Sequence, residues 1–318
     1  MVFGTPNCTV VPDQVPSDPG IAGAGVLLSS TITAGLALLM SGSLIIQEFW
    51  QSSLRKHDPN PSKIRRKLLN SYSDQQIIVG IGIQSVGLAQ SDVLVPYHFF
   101  IIWMLSLLSM ATHNATLLTL VRDFQRDKVL RWLRQFLMFV NLALSCTFGA
   151  FVLQSKARGL PNTLPIACSW AGGVHDNTGP NNNAAYGLDY FGTIITIVGN
   201  CIVFGLATWY LQSRLQRFYR SVQLCGLVLM GGIAIGATVR VFLLSQAFGT
   251  PDVKLADQGE KSWSFGQLLS MLMLILPVIS AVEILRGEIA VAPPVQEDDK
   301  EMLYSGELDT NPMIINRV

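Results

Sequence analysis

Charged residues are scarce in this chain. They make up 14% of its 318 residues, whereas soluble globular domains carry about 25%. The net charge is +1, which excludes a nucleic-acid-binding protein that works through a basic surface. Five cysteines in a chain of this length are too few for a disulfide scaffold. Because half of the residues are hydrophobic, these shortages together predict a polytopic membrane protein.

Long apolar runs are abundant. A bilayer core about 30 Å thick needs about 20 mostly apolar residues per helix. The weakest run contains Gln84, Gln90 and Asp92. We predict an all-α fold, a transmembrane bundle of seven helices, with spans at residues 21–46, 77–95, 97–120, 133–154, 188–211, 222–247 and 265–285.

The distribution of Lys and Arg predicts the orientation of this bundle. The first, third and fifth connections and the C-terminal segment hold 17 of the 22 basic residues, and the N-terminal segment and the other connections hold 4. Basic residues mark the cytoplasmic side, so we expect the N-terminus outside and the C-terminus in the cytoplasm. The chain then divides into an outer N-terminal segment (1–20), a seven-helix transmembrane domain (21–285) and a flexible cytoplasmic tail (286–318).

The predicted outer side carries two further features. Asn7 begins an Asn-Cys-Thr sequon, so we expect a glycan on Asn7. Cys8 and Cys168 are the only cysteines predicted to face the oxidising compartment. They can form a disulfide, or Cys8 can stay free.

Ionisable and amide side chains inside spans are the first site candidates, since a charged group there costs about 2.5–3.5 kcal/mol. On the predicted topology Asp74, His113 and Glu283 lie in the cytoplasmic half and Asp189 in the outer half. The complete set is Asp18, Asp74, Asp92, His98, His113, Asn114, Asn141, Asp189, Asn200, Arg240 and Glu283.

Each main candidate also has a structural interpretation. Ser73-x-x-Gln76 matches a capping box, so Asp74 can belong to a helix N-terminus. Glu283 can pair with Arg286 three residues later. For His113, a hydrogen bond between helices and a catalytic role are equally good interpretations.

Common site motifs are absent. The sequence has no GxxxxGK[ST], HExxH, CxxC or Gly-x-Ser-x-Gly motif, and no DDxxD box that would hold magnesium against a diphosphate. We therefore expect neither a cofactor nor a bound metal.

Four segments of the first half resemble a group of fungal multi-pass membrane proteins. The landmarks are an acidic residue before a Gly-rich first helix, a D-Q-Q motif opening the second helix, and a YH…TH pair in the third. The segments read CTVVPDQVPSDPGIAGAGVLLS, SYSDQQIIVGIGIQ, YHFFIIWMLSLLSMATHNATLLTLVRD and VLRWLRQFLMFVNLALSC. Within that group the chain is similar to the membrane-bound terpene cyclases of meroterpenoid pathways, of the ascofuranone type.

The resemblance implies cyclisation of a prenyl or epoxyprenyl chain by protonation. Such a reaction needs a buried carboxylic acid, and we expect Asp74 or Glu283 in this role. His113 would orient the acid or take up the final proton, and Asp189 is the outer-side alternative. Aromatic side chains could stabilise the cation; the candidates are Phe99, Phe100, Trp103, Phe136, Phe139, Trp209 and Tyr210.

The expected partners are the lipid bilayer and a lipophilic prenylated small molecule, with pathway enzymes in the same membrane and no nucleic acid. The resemblance favours the endoplasmic reticulum, and the charge pattern is equally consistent with the plasma membrane. A non-enzymatic seven-helix protein, receptor-like or transporter-like, is the alternative function.

Overall fold

A computed structural model describes residues 8–54, 60–126, 128–170, 184–212 and 219–286. Within these ranges the regular elements are helices, with one isolated β-bridge between Val15 and Leu255. The α-helices are α1 (Ala24–Leu54), α2 (Asn60–Ala89), α3 (Pro96–Thr119), α4 (Val121–Arg126), α5 (Lys128–Ala157), α6 (Ala184–Gln212), α7 (Tyr219–Leu244), α8 (Phe265–Met273) and α9 (Leu276–Leu285).

The all-helical fold is confirmed within the described ranges, and six of its helical segments are long and apolar enough to cross a bilayer, as a multi-pass membrane protein requires. They are Ala24–Glu48, Pro96–Thr119, Arg131–Ala157, Tyr190–Trp209, Ser221–Leu244 and Gly259–Glu283. The predicted span at 77–95 is the exception. Its residues are helical only as far as Ala89, and the helix that contains them, α2, begins with a strongly basic stretch.

Helix α3 forms the centre of the bundle. Its whole span is buried, compared with 22% of the spans in α6 and α7, because α1, α2, α5, α6 and α7 all pack against it. The outer helices present apolar side chains to their surroundings, for example Ile202 on α6 and Val228 on α7. Such exposed apolar faces are suited to lipid and not to water.

Part of the N-terminal segment and three connections meet at one end of the bundle, and we call them the connection layer: residues 8–23, 90–95, 158–170 and 245–264. Backbone hydrogen bonds join Val15 to Lys254 and Ala256, at 3.1 and 2.8 Å, and Ile166 to Leu94, at 2.8 Å.

A disulfide between Cys8 and Cys168 closes the connection layer. The sequence left open whether Cys8 is free or disulfide-bonded, and in the structure it is bonded to Cys168.

Ion pairs hold the opposite end together. Arg66 on α2 lies 3.3 Å from Glu48 on α1 and 2.8 Å from Asp123 on α4. One guanidinium therefore ties three helices at the end where the sequence is most basic.

The last predicted span is interrupted. Helix α8 ends at Met273, and α9 starts at Leu276. Pro277 has no N–H to donate to the carbonyl of Met273, and its ring disfavours a continuous helix at this point. The segment predicted as a span at 265–285 is still long and apolar enough to cross a bilayer, but it consists of two short helices.

Candidate functional site

A cavity of about 150 Å³ lies between α1, α2 and α8. Thr33 of α1, one of its wall residues, is nine positions after Ala24, about 14 Å along the helix axis. The cavity is therefore near the middle of a hydrocarbon core about 30 Å thick. Its rim includes Leu269, which is 42% exposed, so the cavity opens on the lateral surface of the bundle, which would face lipid.

The inner wall of this cavity is polar. Three hydroxyl groups donate to carbonyl oxygens of their own helices: Ser29 to Val26 at 3.0 Å, Thr33 to Ser29 at 2.7 Å, and Ser270 to Gly266 at 2.9 Å. Each hydroxyl has one hydrogen, so the oxygens of Ser29, Thr33 and Ser270 retain lone pairs that can accept. The lining is Ser29, Ser30, Thr33, Gln75, Gln76, Val79, Leu269, Ser270 and Met273.

The two glutamines of the lining differ in their hydrogen-bond partners. Gln76 Nε2 donates to the Ser30 carbonyl oxygen at 3.2 Å, which joins α2 to α1. Gln75 Oε1 is buried and has no hydrogen-bond partner among the described residues. An orphaned buried acceptor costs about 1–3 kcal/mol, and because this oxygen is buried it does not face the open space of the cavity.

Behind the cavity, His113 is held in a closed hydrogen-bond network. The Ser109 hydroxyl donates its one hydrogen to the Gln76 carbonyl oxygen at 3.0 Å. His113 Nε2 lies 2.9 Å from Ser109 Oγ, which has no hydrogen left to donate, so Nε2 donates to Ser109 Oγ. His113 Nδ1 lies 3.3 Å from the Ser73 hydroxyl, from which a neutral ring can accept a hydrogen bond. A neutral imidazole with its proton on Nε2 satisfies all of these contacts.

The same network extends to α5. Asn141 Nδ2 donates to Ser109 Oγ at 3.2 Å, and Asn141 Oδ1 accepts from Gln84 Nε2 at 2.5 Å. Gly80 allows this approach, since a Cβ there would lie 2.6 Å from Ser109 Oγ. A second cavity of about 10 Å³ lies beside Gln84 and shares Gln76 with the larger one. Through Gln76 the His113 network therefore touches the wall of both cavities.

Asp74 is placed differently from our expectation. Ser73 and Asp74 lie in the interior of α2, which starts at Asn60, so the interpretation of Ser73 and Gln76 as a capping box is wrong. The Asp74 carboxylate accepts a hydrogen bond from Arg134 on α5 at 2.5 Å. Asp74 is the chain neighbour of Ser73, yet its partner is an arginine and not His113.

The remaining predicted residues are separate from this network. Glu283 lies half-buried on α9, and no ion pair joins it to Arg286 within the described ranges. Asp189 belongs to α6, but its side chain lies outside the described residues, as do Asn7 and all of the predicted tail except Arg286.

Several of the predicted aromatic residues face outwards. Phe136 is 61% exposed, Phe139 56% and Trp209 71%, and the side chain of Tyr210 is outside the described residues. Phe99 is buried, but it stacks on Phe148 with ring centroids 4.5 Å apart. These rings pack the core or face lipid, and none of them lines either cavity.

Glu260 is a buried acid that the sequence interpretation missed. It is fully buried, and its carboxylate accepts from the Tyr97 hydroxyl at 2.7 Å and contacts His98 Nε2 at 3.1 Å. The Tyr97 hydroxyl in turn accepts from the Gln246 backbone N–H at 3.0 Å. Glu260 precedes the last predicted span by five residues, so the polarity of the spans gives no signal for it. This cluster attaches residues 245–264 to the start of α3.

The cavity lining was missed as well, although the sequence contains a signal for it. Ser29, Ser30 and Thr33 are spaced so that they share one face of a helix in an otherwise apolar span. Gln75 and Gln76 are adjacent amides at the start of another. These side chains are uncharged, and the search for ionisable residues inside spans passed over them, yet they line two neighbouring cavities.

Comparison with known proteins adds no identification: no protein-family model, no curated protein and no solved structure matches the chain. Its function is therefore inferred from the geometry.

Proposed function

We propose that this chain is a seven-crossing membrane protein that binds a lipophilic small molecule in the cavity between α1, α2 and α8. The single observation that carries the proposal is a cavity at mid-membrane depth that is lined by hydroxyl and amide side chains and opens on the lateral surface of the bundle. A ligand dissolved in the bilayer would enter from the side, with its polar group against the inner wall. Binding without covalent change, as in a receptor, agrees best with a described lining that contains no ionisable side chain.

Seven crossings, with the N-terminus outside and the C-terminus cytoplasmic, follow if α2 also crosses the membrane. From Ser71 to Ala89 it has 19 residues, about 28 Å of helix. Its polar Gln76 and Gln84 are buried, while Ile78 is 71% exposed. Polar side chains turned inwards and apolar ones outwards are what a crossing helix needs, and this pattern supports the seventh crossing.

Glycosylation tests the orientation. If the N-terminal segment is outside, Asn7→Gln removes a glycan, and a glycosidase-sensitive shift in electrophoretic mobility disappears. Asn114 provides the control, because it begins another sequon but is fully buried in α3; Asn114→Gln should leave the shift unchanged. A glycan attached to a sequon engineered into residues 121–132 would contradict the orientation.

Binding is tested with a photoreactive alkyl diazirine that partitions into the bilayer of nanodiscs holding the full chain. Label should concentrate on Leu269, Met273 and Val79, which line the cavity. The variant Ser270→Phe fills the rim and should abolish this label. Ser85→Phe, the same change at an exposed position of α2 outside the lining, should not. Uniform labelling of all lipid-facing helices in every variant would refute a binding cavity.

A terpene cyclase of the kind that the resemblance implies is a second proposal. The Ser109–Gln76 hydrogen bond supports it, because it sets His113 directly behind the cavity wall, from where a relay could remove a final proton. Membranes containing only this protein would be incubated with a prenylated aromatic epoxide, and the products identified by mass spectrometry. If a product forms and Asp74→Asn, Glu283→Gln and Asp189→Asn all retain it, none of these acids initiates the reaction. Such an enzyme would belong with its pathway partners in the endoplasmic reticulum membrane, the plasma membrane being the alternative.

A further inference from the structure

Two free cysteines of the transmembrane bundle lie next to each other. Cys146 Sγ on α5 and Cys201 Sγ on α6 are 3.7 Å apart. The remaining free cysteine, Cys225 on α7, has no cysteine left to pair with, because the other two form the disulfide of the connection layer. A disulfide has an S–S length of about 2.0 Å, so the two sulfurs need to approach by about 1.7 Å. Helix α6 offers little resistance to a shift of this size, since only 22% of its span is buried.

The packing of α5 on α6 brings the two thiols together. Gly149 lies one turn after Cys146, and Ile197 lies one turn before Cys201. A Cβ at Gly149 would lie 2.5 Å from Ile197 Cδ1, so the missing side chain lets the two helices approach closely at this point. The two contacts follow one antiparallel register, in which the approach at Gly149 also sets Cys146 against Cys201.

The pair lies deep in the membrane and is open to lipid. Cys146 is 11 residues from the nearer end of its span and Cys201 is 8. These lengths are about 16 and 12 Å of helix, which places both thiols well inside a hydrocarbon core about 30 Å thick. Cys201 is exposed, as are its neighbours Val198 and Ile202. A reactant dissolved among the acyl chains can therefore reach the sulfurs, whereas a polar reactant from the water phase cannot.

The surroundings restrict the chemistry of these thiols. A cysteine acts as a nucleophile through its thiolate, and an ion is strongly disfavoured in hydrocarbon. The reaction left to a neutral S–H group is the transfer of a hydrogen atom to a radical. Lipid peroxyl radicals, which arise when oxygen adds to acyl-chain radicals, are neutral hydrogen-atom acceptors of the same phase.

We propose that Cys146 and Cys201 form a dithiol that lipid peroxyl radicals oxidise to a disulfide between α5 and α6. One peroxyl radical takes the hydrogen atom of the first thiol, and a second peroxyl radical takes that of the other. Both S–H bonds break, two O–H bonds form, and the two thiyl radicals combine into one S–S bond. Two thiols and two peroxyl radicals thus give one disulfide and two lipid hydroperoxides. The sulfurs are oxidised, the peroxyl oxygens are reduced, and no ion is produced.

This site is separate from the cavity between α1, α2 and α8, and it does not depend on the proposed binding function. Two radicals are consumed at each pair, and α6 becomes tied to α5. The neighbouring sulfur is essential, because a single thiyl radical has no partner within the same chain.

The test uses the full chain in nanodiscs of unsaturated phospholipid. A lipid-soluble azo initiator in air generates peroxyl radicals inside the bilayer, and hydrogen peroxide added to the water is the parallel treatment. Non-reducing peptide mapping by mass spectrometry should find the Cys146 peptide joined to the Cys201 peptide, with the loss of two hydrogens, after the initiator and not after hydrogen peroxide. If the initiator produces no joined peptide, or if hydrogen peroxide produces as much, the inference is wrong.

Two pairs of variants provide further measurements. Cys201→Ser should abolish the joined peptide, whereas Cys225→Ser, which removes the unpaired thiol, should retain it. Gly149→Val should lower the yield because its side chain separates α5 from α6, and Gly199→Val is the matched control on α6, since nothing lies within 4 Å of a Cβ there. An equal yield in Gly149→Val and Gly199→Val would show that this packing does not hold the thiols together, and would overturn the site.

Discussion

The Tyr97 hydroxyl should be a stabilising group whose removal is easily measured. It donates to Glu260 at 2.7 Å and accepts from the Gln246 N–H at 3.0 Å. The variant Tyr97→Phe deletes both hydrogen bonds with almost no change in volume. It leaves one oxygen of a fully buried carboxylate with no donor.

The expected loss is set by these contacts. A hydrogen bond to a charged group contributes about 1.5–3 kcal/mol. The Gln246 N–H is partly buried, so water can replace its partner at low cost. We therefore expect Tyr97→Phe to lower the free energy of unfolding by about 2 kcal/mol, which corresponds to roughly 4–8 °C in a domain of 150–250 residues and to the lower part of that range in a larger chain.

The assay heats detergent-solubilised protein and measures by size exclusion the fraction that stays monodisperse. Tyr190→Phe is the matched control, because Tyr190 is 36% exposed and no described residue bonds its hydroxyl. If the two variants lose stability equally, the hydroxyl of Tyr97 does not connect residues 245–264 to α3. A larger loss in Glu260→Gln than in Tyr97→Phe would agree with a carboxylate that serves both Tyr97 and His98.

Two further predictions concern Gly80 and Asp257. Gly80→Val should destabilise the protein by about 2–3 kcal/mol in the same heating assay, because its Cβ would lie 2.6 Å from Ser109 Oγ. Gly82→Val is the control and should be nearly neutral, since nothing lies within 4 Å of a Cβ there. Equal effects of the two variants would contradict the close packing of α2 on α3. The exposed Asp257 carboxylate accepts hydrogen bonds from the Ser17 hydroxyl, which has the larger effect, and from the Gly259 N–H, and both hold the pKa of Asp257 below the ordinary value. The contact with Ser17 attaches the N-terminal segment. This attachment should be present near neutral pH and lost as the pH falls below about 4. Limited proteolysis of residues 8–23 against pH measures this, and in Asp257→Asn the increase in cleavage below about pH 4 should be reduced.

Hydropathy alone predicted the class of protein and the positions of the long apolar helices, although α2 begins 17 residues before the predicted span at 77–95 and α4 was not predicted. Lipid offers no hydrogen bonds to the backbone, so a chain with runs of about 20 apolar residues must form helices across it. The helix containing residues 77–89 was predicted despite its polarity. Its C-terminal limit was wrong, however, and the break at Pro277 was overlooked because hydropathy averages over such local features.

The contacts of the polar residues could not be predicted in the same way. Asp74 and Ser73 are adjacent in the chain, yet one contacts Arg134 and the other contacts His113. Successive residues of a helix point about 100° apart, so the rotation of α2 against its neighbours decides which partner each one meets. His113 was predicted inside its span, and it is fully buried there, but the proton on its Nε2 is located only by counting the hydrogens of Ser109.

The sequence by itself therefore determined that the chain is a helical membrane protein, and which of its helices are strongly apolar, because the transfer free energy of a segment depends on its own residues. Only the tertiary structure decided that Glu260 is buried beside His98, that Cys8 meets Cys168, and that amides and hydroxyls from α1, α2 and α8 surround one cavity. These pairings join residues up to 241 positions apart, from Ser29 to Ser270, and they depend on how complete helices pack and rotate against each other, which no local pattern of hydropathy specifies.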